Sequence, residues 1–139
     1  MKKAEREKVY NKFDGHCSYC GKEIEYKDMQ VDHHYPKTIS HYAGRTYQTG
    51  IYDLMGQPLY DELPHNFDDI SNLMPSCRRC NHYKRDHMPE QFRKMMMTLH
   101  ERIMKNYINK VALDFGIITI TPFKGQFYFE RIKAVVKNE

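Results

Sequence analysis

The chain has 139 residues, 40% hydrophobic and 29% charged, which suits one globular domain with a modest core. No apolar run approaches the ~20 residues of a membrane span, and "MKKAEREKVY" has no apolar stretch behind its basic residues, so neither a span nor a secretory leader is expected and a cytoplasmic protein is the default. A formal net charge of +4 says little until its distribution is read.

In chain order, residues 2 to about 13 read as a short charged helix, with Val9 and Phe13 one turn apart and Asp14-Gly15 as its stop. "CSYCGK" follows, where Gly21 suits the positive φ that such turns require. "MQVDHHY" alternates Met29, Val31 and His33 against Gln30, Asp32 and His34, which predicts a strand closed by Pro36. Residues 38–70 show little periodicity and hold Tyr42, Tyr47, Tyr52 and Tyr60. So long a loop implies function or disorder. The tyrosines are expected to pack this insertion against the rest of the domain, with stacking on nucleic-acid bases as the alternative. After Cys80, "NHYKRDH" predicts a short helix with Asn81, Lys84 and Arg85 on one face. Pro89-Glu90 starts a longer helix whose stripe is Phe92, Met96, Leu99, Ile103 and Tyr107, stopped by Gly116. "IITIT" and "FYFERI" then predict a β-hairpin around Lys124-Gly125.

Charge is unevenly placed. "CRRCNHYKR" (77–85) holds Arg78, Arg79, Lys84 and Arg85 and no acid, whereas residues 38–72 hold Arg45 against Asp53, Asp61, Glu62, Asp68 and Asp69. A polyanion would meet the first segment and not the second.

The four cysteines form two C-x-x-C pairs, Cys17/Cys20 and Cys77/Cys80. Without an export signal disulfides are not expected. Two tight turns, each presenting two thiolates, instead predict a tetrahedral structural zinc. The 56 residues between the pairs (21–76) exceed the ~15–20 of common four-cysteine ribbons, so something substantial is built between the halves of the site.

Phosphodiester hydrolysis needs a base for water, a cation for the developing negative charge, and positive side chains for the backbone. Mg²⁺ prefers oxygen ligands and keeps several waters. A neutral histidine is a suitable base near pH 7. "VDHHYP" followed by "NLMPSCRRCNHYK", with C-x-x-C on either side, offers those parts. Over about residues 13–88 the chain resembles the HNH endonucleases, the zinc-knuckle branch of the ββα-metal nucleases, of the kind found in phages.

That resemblance implies an α+β fold: a ββα core clamped by the four-cysteine zinc, with a C-terminal helix and hairpin over 89–135, all in one domain spanning 1–139. It implies that Asp32 and Asn81 ligate a catalytic Mg²⁺ or Mn²⁺, that His33 is the general base, and that Asn72 braces the hairpin and orients the base. Lys84 would touch a phosphate, and Arg78, Arg79 and Arg85 would line the DNA. The family pattern Asp-His-x-x-Pro makes His33 the base and leaves His34 a bystander, facing the zinc side, solvent or DNA. Asp32 and His33 reach one ion only if the strand ends or bulges there. The implied activity is DNA cleavage to 5′-phosphate and 3′-hydroxyl ends, in the cytoplasm of a bacterium or phage-infected cell, with a homodimer or a phage packaging partner in view. The chain departs from the family in the 35 residues between Pro36 and Asn72. Taken singly each piece is common: surface Asp-His pairs, an Asn as helix N-cap, a zinc ribbon without activity. The alternative is therefore a non-catalytic zinc-binding adaptor for nucleic acid or protein.

Overall fold

A computed structural model describes residues 1–137 and holds, among them, two antiparallel two-stranded sheets and six α-helices, an α+β arrangement. In chain order the elements are α1 (Lys3–Asn11), β1 (Gln30–His33), β2 (Thr46–Tyr52), β3 (Pro58–Glu62), β4 (Leu73–Ser76), α2 (Arg78–Lys84), α3 (Pro89–Met97), α4 (Leu99–Met104), α5 (Tyr107–Asp114) and α6 (Tyr128–Lys137). The single-domain expectation runs to 139, and residues 138–139 lie outside the described residues. No helix among the described residues is long and apolar enough to cross a membrane.

β1 pairs with β4 across the whole insertion, Asp32 opposite Met74 and His33 opposite Leu73. α1 lies over this pair because Val9 is its only buried residue and packs with Met29 and Leu73. Arg6 ties the helix to the carbonyls of Tyr26 and Met29 at 2.8 and 2.9 Å. α2 follows β4 directly. Its N-cap is Cys77, whose Sγ accepts from the Cys80 N–H at 3.3 Å.

Residues 38–70 are not the unstructured loop that their weak periodicity implies. β2 and β3 form a hairpin, with Asp53 Oδ1 accepting from the N–H of Met55 and of Gln57 at 2.9 Å each. A register shift between Gln48 and Tyr52, around Gly50 at φ +84°, breaks the alternation that would have revealed β2. Of the four tyrosines only Tyr47 packs inward, against Tyr35; Tyr42, Tyr52 and Tyr60 are exposed. The packing expected of all four is thus corrected to one.

The expected long helix is three. Thr98 turns its hydroxyl back to the Lys94 carbonyl (3.1 Å) at a non-ideal φ of −107°, and Asn106 caps a new start by accepting from the Ile108 N–H. The stripe is therefore core at Phe92, which is buried, and solvent at Tyr107, which is 79% exposed.

The C-terminal hairpin is also corrected. Residues 117–127 hold no strand, and "FYFERI" is the start of α6. Its alternation suggests a strand, but its first N–H groups go elsewhere. Tyr128 N–H and Phe129 N–H donate to the carbonyls of Tyr19 and Ser18 in the first cysteine turn, and Glu130 accepts from the Phe127 N–H. Phe127 and Phe129 enter the main core with Phe13, Tyr19, Met74 and Phe92. Arg93 on α3 then clamps Glu130 with both terminal nitrogens, at 2.7 and 2.9 Å.

Candidate functional site

The cysteines converge. The Sγ atoms of Cys17, Cys20, Cys77 and Cys80 lie within 4.8 Å of one another, with Cys20 and Cys77 at 4.0 Å. Four sulfurs around zinc at ~2.3 Å are about 3.8 Å apart, so a small contraction seats the ion. Gly21, at φ +82°, makes the first turn possible: a Cβ there would meet Tyr128 at 2.6 Å. The Cys17 thiol is driven well below its ordinary range, first by hydrogen bonds from the Cys20 and Cys80 thiols. Cys20 and Cys80 are pushed up, first by their hydrogen bond with Cys17. One thiolate forms readily and further negative charge is resisted, an imbalance that a divalent cation removes. The cluster is compatible with a structural metal such as zinc.

Asp32, on β1, turns inward and is 5% exposed. Its Oδ2 accepts from the Tyr19 hydroxyl and faces the Lys84 ammonium at 3.1 Å. Burial pushes the Asp32 carboxyl above its usual range, opposed first by Lys84 and then by the Tyr19 hydrogen bond. Tyr19 is itself held protonated by burial and by the Asp32 charge, so it donates. Lys84 is fully buried and also donates to the His33 carbonyl at 3.1 Å. A buried ammonium must be paired, and Lys84, expected from the sequence to touch a phosphate, is paired here within the protein. Asn81, one turn earlier on the same helix, is partly exposed. Arg78, Arg79 and Arg85 are exposed.

His33 points the other way, as strand alternation requires. β1 ends there, with no bulge in its pairing with β4. The ring is 28% exposed, and its Nε2 meets Asp68 Oδ1 at 2.8 Å. His34 is half-buried and leans on the first cysteine turn through Tyr19. It packs between Tyr35 and Phe129, with ring centroids at 5.2 and 5.4 Å, and near Tyr19. Burial first, then the surrounding cations Lys84, Lys133, Lys12 and Arg93, lowers its pKa to about 3, so it stays neutral.

Asn72 is 2% exposed and makes three side-chain bonds to the backbone of Tyr35 and Phe67. Its Oδ1 accepts from the Tyr35 N–H at 2.8 Å, and its Nδ2 donates to the carbonyls of Tyr35 and Phe67 at 3.0 and 2.9 Å. Lys12 fixes the turn that carries it by donating to the carbonyls of Ile70 and Leu73. Asn72 touches no ring of either histidine; it shapes the loop after His33.

Sequence reasoning missed Tyr19, Lys37 and Asp68. Tyr19 sits between the first two cysteines, where no spacing rule speaks. Lys37 and Asp68 lie 31 residues apart, and only folding joins them and brings Asp68 to His33.

Compared with protein-family models, with curated proteins and with solved structures, the chain matches none.

Proposed function

We propose that this protein is a metal-dependent DNA endonuclease of HNH type. The observation that carries the reading is the antiparallel pair β1–β4 leading directly into α2 beside the cysteine cluster, with Asp32 and His33 the last two residues of β1. A strand pair followed directly by a helix is the arrangement that the motif order implies. Asp32 and Asn81 offer a carboxylate and an amide carbonyl, the hard oxygens that Mg²⁺ or Mn²⁺ takes. Such a cation, when bound, neutralises negative charge building on the phosphate and the leaving 3′ oxygen. His33 accepts a proton from the attacking water. The new bond joins that water oxygen to phosphorus, and the bond to the 3′ oxygen breaks, leaving 5′-phosphate and 3′-hydroxyl. Arg78, Arg79 and Arg85 hold the flanking backbone. One such site cuts one strand.

A second reading has its own observation. The Asp32 carboxylate already has an internal cation, Lys84. That pairing favours the non-catalytic adaptor, in which the protein binds through its basic segment and needs no hard metal. Conversion of supercoiled plasmid to nicked or linear DNA separates the two. Cutting that requires Mg²⁺ or Mn²⁺ and is lost in His33→Ala supports the nuclease. No cutting by folded, zinc-loaded protein, with binding that ignores both Mg²⁺ and His33→Ala, supports the adaptor.

A further inference from the structure

Asp68 belongs to the insertion, yet it reaches the proposed base. Its two oxygens divide between two partners: Oδ1 meets His33 Nε2 at 2.8 Å and Oδ2 meets the Lys37 ammonium at 3.0 Å. Both ends of the histidine contact are held by buried groups. The His33 backbone is paired with Leu73 and bonded through its carbonyl to Lys84. Asp68 follows the buried Phe67, whose carbonyl is bonded to Asn72, and its own N–H donates to Asn66 Oδ1. The carboxylate is thus fixed in place although it is itself 58% exposed. Exposed pairs add little to stability, so folding has little need of this one.

From this geometry we propose that Asp68 is the positioning residue for His33: it holds the proton on Nε2 and leaves the Nδ1 lone pair to face the water, while Lys37 holds Asp68. An ionised carboxylate only accepts, so the ring nitrogen facing it carries the hydrogen. The other nitrogen is then the base. Lys37 only donates, so whatever replaces Asp68 must still offer it an acceptor. This role rests on the nuclease reading.

The arrangement predicts an unusual order of effects. In Asp68→Asn, Lys37 claims the amide oxygen, and the amide NH₂ turns to His33 Nε2. The ring must then carry its proton on Nδ1, where the lone pair is needed. Asp68→Ala merely frees the ring. Asp68→Asn therefore loses more activity than Asp68→Ala, although it is the smaller change. Adding Lys37→Met to Asp68→Asn lets the amide flip and restores activity toward the Ala level.

The test is plasmid nicking by parent, Asp68→Ala, Asp68→Asn and Asp68→Asn/Lys37→Met, as kcat and KM over a Mg²⁺ titration, with imidazole ¹⁵N shifts reporting the His33 tautomer. Expected are a fall in kcat of about 10–100-fold for Asp68→Ala, a larger fall for Asp68→Asn, partial recovery in the double variant, and unchanged KM and Mg²⁺ half-saturation. The tautomer should be Nε2–H in the parent and Nδ1–H in Asp68→Asn. Equal losses in Asp68→Ala and Asp68→Asn, or a raised Mg²⁺ half-saturation that marks Asp68 as a metal ligand, overturn the positioning role while the nuclease stands. A folded, zinc-loaded parent that cuts no DNA overturns the nuclease reading and this role with it.

Discussion

Lys84→Met is the perturbation that most directly tests how Asp32 is held. Lys84 has no exposed surface and Asp32 is 5% exposed, so neither end of the 3.1 Å pair is screened by water. Methionine keeps the length of the side chain and removes the charge. Asp32 is then left buried with one hydroxyl donor, Tyr19, and the His33 carbonyl loses its donor as well. Breaking a buried pair from one side costs about 3–5 kcal/mol. Unfolding entropy of about 2.1 cal/mol/K per residue over 139 residues makes each kcal/mol worth about 3.4 °C. The expected fall in Tm is therefore about 10–17 °C, measured by circular dichroism on zinc-loaded protein. Asp32→Asn/Lys84→Met, which removes both charges, should recover most of it. The salt dependence of DNA binding by Lys84→Met, measured well below its Tm, should keep the parental slope. If Lys84 instead served a phosphate, Lys84→Met would melt within about 3 °C of the parent and its log–log salt slope would fall by about 1. That result would refute the internal pairing.

If the cysteine cluster holds zinc, removing it by a strong chelator or by Cys17→Ser should abolish cooperative melting. Structural zinc is worth about 10–16 kcal/mol where it is coupled to folding, and α6 hangs on the carbonyls of Ser18 and Tyr19 in the same turn; a metal-free protein with an unchanged thermal transition would refute this. Arg93→Lys loses the two-pronged grip on Glu130 and the Nε–H bond to Glu90. Stability should fall by about 1.5–3 kcal/mol with faster amide exchange in α6, and parental exchange rates there would argue against the clamp. His34→Ala should cost about 1–3 kcal/mol through lost ring contacts. His34→Phe should restore the melting temperature and, on the nuclease reading, keep the parental plasmid nicking; a parent that nicks beside a stable, inactive His34→Phe would make His34 the base.

Legibility tracked the range over which each signal acts. The cysteine convergence was readable across 56 residues because metal ligands announce themselves by type and spacing. β1 was readable from alternation over seven residues, and Gly116, at φ +72°, from its position after the last helical turn. The β2–β3 hairpin was hidden because the shift at Gly50 breaks the two-residue period. α6 was misread because "FYF" alternates, whereas its conformation is decided by carbonyls of Ser18 and Tyr19 more than a hundred residues earlier. The internal pairing of Lys84 was hidden for a similar reason. Basic residues near Arg78 and Arg79 suggest a surface patch, and nothing local reveals that one of the four points into the protein toward Asp32.

The same contrast explains how the site tolerates so long an insertion. Closing a longer loop costs only about 0.6 kcal/mol per doubling of its length, provided its ends are held. Here they are held three times over. Gly44 N–H donates to the Pro64 carbonyl and Leu63 N–H to the Arg45 carbonyl, which ties the base of the hairpin. Tyr35 donates to Asp61 at 2.8 Å, which ties the hairpin to the loop after β1. Lys37 and Asp68 close the neck beside His33. Strain or motion at the exposed tip, where Leu54 and Met55 stand in solvent, must pass through these ties before it reaches β1 or β4. The insertion is free to vary in length and sequence beyond the neck, while the residues at the neck itself are bound by the geometry of the site.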